Sequence, residues 1–422
     1  MEVKIYPSQV QGSIQIPSSK SLSHRAILCA GLADKTSTIT NLFYSKDIEA
    51  TMQCIQNLGA KIHKDPTSCR IQGTSIFQQA KDYICPCNES GSTLRFLIPI
   101  GALTSHVGTF TGKGRLLQRP MTIYEKIFRD QGLFYLQEED QIQIQGPLKP
   151  QHFTLPGNIS SQFISGLLLA LPLLEGSSTI TIQEPYESRS YVDLTIQMLR
   201  RFGITIKEKE NQYFIPGRQR YRSQDIAIEG DASQMAFFGV LACLNHELTF
   251  SNMNPESIQG DRVIFEHLKT AGSTIHFDAT HLTISKCRPQ AQRIDLTNCP
   301  DLGPILCVLA SFSKGTTTIY NAQRLRLKES DRILAMETEL KKWGVPIYTT
   351  NDTITIHGKE TYEKEELVFI DSHNDHRIAM AMTIFGLCAK SPSIIQNAQA
   401  IEKSYPNFFQ DIQSIHGKVE IV

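Results

Sequence analysis

The chain has 422 residues, 41% hydrophobic and 20% charged, a globular composition too long for one ordinary core, so two domains of about 200 residues each are expected. Lysine plus arginine equals aspartate plus glutamate at 42 each, which excludes a global positive field that would draw the protein to nucleic acid or an anionic membrane. The N-terminus lacks the apolar run of a signal peptide, and the longest apolar stretch, Phe163 to Leu174, is too short to span a bilayer; a cytoplasmic protein is expected.

The first predicted element is a strand, Glu2 to Tyr6, which precedes any repeat and should find its partner in the C-terminal part of the chain. From there one unit recurs about every 70 residues, longer than a solenoid repeat, so each copy reads as a complete mixed α/β module. A copy opens on polar or capping residues, enters a helix that is apolar nearly all round, and continues into a Thr-rich strand. An amphipathic helix then ends at a glycine, where a left-handed cap is expected, and an alternating strand follows.

In chain order the openings are Ser18-Ser19-Lys20-Ser21, Glu89-Ser90-Gly91-Ser92-Thr93, Ser160-Ser161-Gln162, Gly230-Asp231-Ala232-Ser233, Pro300-Asp301-Leu302-Gly303 and Asn374-Asp375-His376-Arg377. The Thr-rich strands are expected at Thr38-Ile39-Thr40, Thr109-Phe110-Thr111, Thr179-Ile180-Thr181, Thr249-Phe250, Thr317-Thr318-Ile319 and Ser393-Ile394-Ile395. The terminating glycines are Gly59, Gly132, Gly203, Gly272, Gly344 and Gly417, and the third join predicts a strand over Ile204-Thr205-Ile206. Three modules per half imply two similar domains, residues 15–228 and residues 1–14 with 229–422. Helices apolar on every side must be buried, so each domain should hold three of them, wrapped by sheets and outer amphipathic helices.

Any one polar opening is explained by N-capping alone. If the three buried helices of a domain run parallel, their free N–H groups and positive dipole ends share one end and form an anion site. Lys20, Arg25, Arg119, Lys328, Arg332, Arg377 and Lys403 stand beside these openings or at module joints. Cations so gathered in a neutral chain suit phosphates or carboxylates. Asp301 and Glu329 lie among them and read either as acid/base groups or as salt-bridge partners.

No nucleophile elbow, Walker-type phosphate loop or dinucleotide fingerprint competes. Cys85-Pro-Cys87 lacks a second pair at zinc spacing, and Cys29, Cys243, Cys307 and Cys388 read as small buried hydrophobes. His373 and His376 could lie near one helical face, but no further ligands of a metal are apparent.

The segments Pro17 to Arg25, Arg119-Pro120, Ser160-Ser161-Gln162, Ser188-Arg189-Ser190-Tyr191, Arg326 to Arg332 and Asn374 to Arg377 resemble, in order and across essentially the whole chain, the 5-enolpyruvylshikimate-3-phosphate synthases of the enolpyruvyl transferase family. The stretches Lys328 to Gly344 and Asn374 to Arg377 are the most specific. The resemblance implies an inside-out α/β barrel in each of two domains, with the active site in the cleft between them, closing over shikimate 3-phosphate and phosphoenolpyruvate. It implies that Ser21, Arg25, Ser160, Ser161, Gln162, Ser188, Tyr191, Asp301 and Lys328 bind the shikimate phosphate. Lys20, Gly91, Arg119, Arg332, Arg377 and Lys403 would hold phosphoenolpyruvate.

By the same resemblance Asp301 is the base on the 5-hydroxyl, and Glu329 and Lys20 carry protons at the methylene carbon. No metal or organic cofactor is implied, no nucleic acid or membrane partner, and the enzyme is expected to act as a monomer. Two positions depart from the family pattern: Glu89 stands where an Asn is usual, and Arg324 replaces an Asn that often contacts the sugar phosphate. Gly91 matches the small residue of glyphosate-sensitive members. The nearest rival, a UDP-N-acetylglucosamine enolpyruvyl transferase, would carry Asn after the first lysine, where this chain has Ser21. A non-catalytic anion-binding module on the same scaffold would have no need of Lys20, Asp301 and Glu329 together.

Overall fold

A computed structural model describes residues 1–74, 81–278 and 281–422. The chain forms two compact units, Met1–Pro17 with Glu229–Val422, and Ser18–Ile228. Residues 15–17, expected with the second of these, fall in the first. The cause is local pairing: Gln15 lies opposite Ser251, and Ile16 N donates to Ser251 O at 3.2 Å.

Strands β1 (Val3–Tyr6) and β2 (Gly12–Gln15) open the chain. The Ser18–Ile228 unit begins with α1 (Lys20–Gly31), β3 (Thr36–Thr40), α2 (Lys46–Asn57), β4 (Lys61–Asp65) and β5 (Ser68–Gln72). Its second module is β6 (Tyr83–Pro86), α3 (Gly91–Gly101), β7 (Val107–Thr111), α4 (Thr122–Asp130), β8 (Phe134–Gln137) and β9 (Gln141–Gln145). The third is β10 (His152–Pro156), α5 (Ser161–Ala170), β11 (Ser178–Gln183), α6 (Arg189–Arg201), β12 (Lys207–Lys209) and β13 (Gln212–Ile215), with β14 (Ile226–Ala227) closing the unit. Strand β12 starts after Ile206, so the expected strand at 204–206 is displaced toward the C-terminus.

The other unit continues with α7 (Ala232–Leu244), β15 (Leu248–Ser251), α8 (Ile264–Ala271), β16 (Ile275–Phe277) and β17 (His281–Ile284). There follow β18 (Arg293–Asp295), α9 (Gly303–Ser311), β19 (Gly315–Tyr320), α10 (Arg332–Lys342), β20 (Ile347–Thr349) and β21 (Ile354–Gly358). The last module is β22 (Val368–Asp371), α11 (His376–Cys388), β23 (Ser393–Gln396), α12 (Phe408–Ser414) and β24 (Lys418–Ile421).

Each module carries one four-stranded sheet of the same order, as in β6-β7-β9-β8, with the leading strand parallel to the Thr-rich strand and the rest antiparallel. The first module of the Ser18–Ile228 unit has no leading strand before its helix and takes β14, parallel to β3. In the other unit β2 plays that part beside β15. The final sheet, β22-β23-β1-β24, receives β1 between β23 and β24, which gives the opening strand its partner.

The central helices α1, α3, α5, α7, α9 and α11 are buried nearly all round; in α11 every residue from His376 to Leu387 is buried. Outer helices bury one stripe only, such as Ile123, Tyr124, Ile127 and Phe128 in α4. Cys29, Cys243 and Cys307 are buried as expected, whereas Cys388 is partly exposed at the end of α11.

The glycines that end the outer helices take left-handed φ in the first five modules, from 66° at Gly132 to 111° at Gly272. The sixth differs: His416 holds the left-handed position at φ 67°. Gly417 is required there by close approach, since a Cβ would lie 2.5 Å from Ile412 Cγ2 and 2.8 Å from Ile412 O.

Candidate functional site

In the Ser18–Ile228 unit the helix openings are built by short side-chain caps. Ser19, Ser90 and Ser160 accept from the N–H groups of Leu22, Thr93 and Gln162. Ser160 is thus the cap of α5, and Ser161 its first helical residue. Beside the α1 opening, Lys20 Nζ lies 2.9 Å from Asp47 Oδ2, at the start of α2.

Arg25, one and a half turns into α1, is buried. Its Nη1 donates to Ser21 O at 2.7 Å, Nε to Thr195 Oγ1 at 2.7 Å, and Nη2 to Tyr191 O at 2.8 Å and Ser165 Oγ at 3.5 Å. Burial lowers its pKa to about 10, so it stays charged. The same guanidinium therefore ties the first turn of α1 to α5 and α6. Ser188, immediately before α6, is buried with a left-handed φ of 54°.

A second group surrounds the α3 opening. A Cβ on Gly91 would meet Arg119 Nη1 at 2.9 Å and Gln162 Oε1 at 3.5 Å, so the missing side chain is what admits these neighbours. Gln162 donates to Ser92 Oγ at 3.0 Å and accepts from Arg95 Nη1 at 2.8 Å, joining the first turns of α3 and α5. Arg119 follows the short turn Leu116–Gln118 and is buried ahead of Pro120. Arg95, whose guanidinium lies over the Phe163 ring at 5.0 Å, was not singled out from sequence. Its position inside an apolar helix was the available signal, since a buried arginine needs a polar reason to be there.

In the other unit the openings of α7, α9 and α11 meet directly. Arg377, in the first turn of α11, donates through Nη2 to Ser233 Oγ at 3.0 Å and to Asp301 Oδ2 at 3.2 Å, and through Nη1 to Asp301 O at 3.0 Å. Lys328 Nζ and Arg332 Nη1 each lie 3.1 Å from Asp301 Oδ1, and Arg332 Nη2 lies 2.6 Å from Glu329 Oε2. Lys403 Nζ donates to Asn374 O at 2.6 Å. Asp301, Lys328, Glu329, Arg332 and Arg377 thus form one cluster of three cations and two carboxylates.

Its electrostatics follow from burial and charge together. Burial alone would raise the Asp301 carboxyl, but Arg377, Lys328 and Arg332 hold it well below the ordinary carboxylate range. Burial likewise lowers Lys328, against the pull of Asp301. Arg332 is raised above its ordinary value because Asp375, Glu329 and Asp301 outweigh its burial. Asp375 Oδ2 accepts from Arg332 Nε at 2.8 Å and from Ser330 Oγ at 3.1 Å. Asp375 was expected only as part of a cap.

Both departures from the family pattern have structural partners. Glu89 packs against Gly114, where a Cβ would come 2.6 Å from Glu89 Oε2. Arg324 is buried with Nη2 donating to Thr297 O at 3.3 Å. Of the two histidines weighed as metal ligands, His373 Nε2 lies 2.9 Å from Glu339 Oε1. Among the described residues no group of three or more His, Cys, Asp or Glu is arranged to hold a metal ion, and no helix is long and apolar enough to cross a membrane.

The sequence matches the family model described as EPSP synthase (3-phosphoshikimate 1-carboxyvinyltransferase) over residues 5–412. It is 45% identical over 424 residues to the 3-phosphoshikimate 1-carboxyvinyltransferase of Clostridium acetobutylicum, and 42% identical over 421 residues to that of Clostridium kluyveri. Each alignment covers 99% of this chain and 98% of the relative. Among solved structures, an EPSP synthase from Acinetobacter baumannii superposes with a TM-score of 0.81 at 26% identity, covering all of both chains. The enolpyruvyl transferase NikO from Streptomyces tendae also gives 0.81, covering 99% of this chain and 98% of its own; at 14% identity it speaks for the fold alone.

Proposed function

The chain belongs to the EPSP synthase family, and on that premise we propose that it transfers the enolpyruvyl group of phosphoenolpyruvate to the 5-hydroxyl of shikimate 3-phosphate. Phosphate is released, and the product leads to chorismate and the aromatic amino acids. The observation that carries the reading is the Asp301 carboxylate set among Lys328, Arg332 and Arg377 with Glu329 beside them. Such a group couples an acid/base pair to cations able to take anionic oxygens.

In the addition step, Asp301 accepts the proton of the 5-hydroxyl as that oxygen bonds to the central carbon of the enol. Glu329 and Lys20 deliver the proton that the methylene carbon takes up. In the elimination a proton leaves the resulting methyl group, the double bond re-forms, and the carbon–oxygen bond to phosphate breaks. Phosphoenolpyruvate is held by Lys20, Gly91, Arg119, Arg332, Arg377 and Lys403. Shikimate 3-phosphate is held by Ser21, Arg25, Ser160, Ser161, Gln162, Ser188, Tyr191, Asp301 and Lys328. Arg25 also fixes the carbonyls of Ser21 and Tyr191, so it orders its neighbours as well as charging the site.

The cations that keep Asp301 ionised also weaken it as a base. Each unit charge at about 4 Å and an effective dielectric near 20 is worth about 4 kcal/mol. Anionic substrate oxygens that draw Arg377, Lys328 and Arg332 toward themselves relax that hold and raise the proton affinity of Asp301 when the hydroxyl is in place. The Asp301→Ala variant is expected to release phosphate from the two substrates at least about two orders of magnitude more slowly than the parent. Equal turnover would remove Asp301 from this role.

The same reading has the enzyme act in the cytoplasm as a monomer and makes it a target of glyphosate. The last point is supported by Gly91, whose missing side chain lets Arg119 Nη1 stand within 2.9 Å of where a Cβ would be. Saturating glyphosate should suppress phosphate release, and turnover that persists there would count against it.

A further inference from the structure

Immediately before α11 the backbone makes an uncommon turn. His373 and Asn374 both take left-handed φ of 52°, a conformation costing roughly 1–2 kcal/mol at each non-glycine residue unless its surroundings enforce it. What enforces it is Glu339, a carboxylate of α10 only 1% exposed. One oxygen, Oε1, lies 2.9 Å from His373 Nε2, and Oε2 accepts Asp371 N at 3.1 Å and Lys342 Nζ at 2.6 Å. Glu339 thus grips both the ring of the turn and the backbone that leads into it. Asp371 Oδ1 adds a bond from His373 N at 2.9 Å, and Asp375 N closes the turn on Ser372 O at 2.9 Å.

The turn has two outputs. Its Asn374 carbonyl receives Lys403 Nζ, and its Asp375 side chain receives Arg332 and caps α11 ahead of Arg377. Glu339 and His373 thus connect to Lys403, Arg332 and Arg377 through the backbone of this turn. We propose that Glu339 and His373 form a positioning pair that sets Lys403 and Arg332 for phosphoenolpyruvate through the 372–375 turn. The proposal rests on the functional reading above.

The groups facing the His373 ring are Glu339 and Lys342 on α10 and Asp371 at the end of β22. The hydrogen bond to Glu339 raises the His373 pKa, helped by the charges of Glu339 and Asp371 and opposed by burial and Lys342. With the folded pKa raised, the charged clasp is complete below the unfolded value of about 6.5. It is lost as pH rises through the folded value.

Two variants of the full chain test the pair. His373→Asn keeps a residue that tolerates left-handed backbone but is too short to reach Glu339, and His373→Gln restores an uncharged N–H at about the reach of the ring. With phosphate release as the assay, His373→Asn should raise KM for phosphoenolpyruvate about ten-fold, more than it lowers kcat. His373→Gln, which keeps the hydrogen bond but not the charge, should match the parent at a pH where His373 is neutral and fall short of it where His373 is protonated. In the parent, KM for phosphoenolpyruvate should climb as His373 loses its proton, and that climb should vanish in both variants. An unchanged KM in His373→Asn, or a climb that survives in it, overturns the proposal. A parent that releases no phosphate from these substrates removes the functional reading and the proposal with it.

Discussion

Asp231, Asp301 and Asp375 stand at matching places ahead of α7, α9 and α11, yet their carboxylates serve different partners. Asp231 Oδ1 serves as an N-cap, accepting the N–H groups of Ser233 and Gln234 and the Ser233 hydroxyl. Asp375 caps Arg377 N at 2.9 Å through Oδ1 and takes Arg332 with both oxygens, Nε on Oδ2 at 2.8 Å and Nη2 on Oδ1 at 3.3 Å. Asp301 does not cap: α9 is entered through a short 3-10 turn, Pro300–Leu302, with Pro304 in the first helical turn. Prolines bring no N–H to satisfy, so the carboxylate is released toward Lys328, Arg332 and Arg377. From sequence the three positions look alike, and the flanking prolines were the only local sign that one of them was different. Gly417 is a second such case. Gly417→Ala should lower the unfolding free energy by about 1–3 kcal/mol through overpacking against Ile412. His416→Gly next to it, at the left-handed position, should stay within about 1 kcal/mol of the parent. Urea titrations check both, and a Gly417→Ala midpoint equal to the parent's would contradict the close-approach explanation.

At the level of elements, the helices and Thr-rich strands were legible because their signals are local. Apolar residues on all faces, a cap at one end and a glycine at the other can be read within one module. The strands that complete each unit were not, apart from β1. Ile226 and Ala227 pair with Ile39 and Thr40, and β2 pairs with β15, contacts between segments far apart in sequence that no periodicity announces. Strand β1 shows what such pairing is worth. Val3 and Ile5 are fully buried between β23 and β24, about 1.5–3 kcal/mol of burial each. Against a total stability of about 5–15 kcal/mol, deleting residues 1–6 should markedly lower the thermal midpoint of the unit formed with Glu229–Val422. Calorimetry that finds no shift would show that β23 and β24 close without it.

For the molecule as a whole, the sequence by itself determined the six-fold repeat, the burial of six helices, the gathering of cations at helix openings and the family. Each of these rests on short-range pattern or on residue identity, which the chain carries before it folds. Only the tertiary structure decided which polar residues at those openings become caps and which face charged partners, that Arg25 locks α1 to α5 and α6, and that Glu339 holds the turn before α11. Glu339 and His373 are 34 positions apart, and nothing in the residues around either one names the other. Charge pairing of this kind is fixed by distance and burial, quantities that exist only once modules have packed.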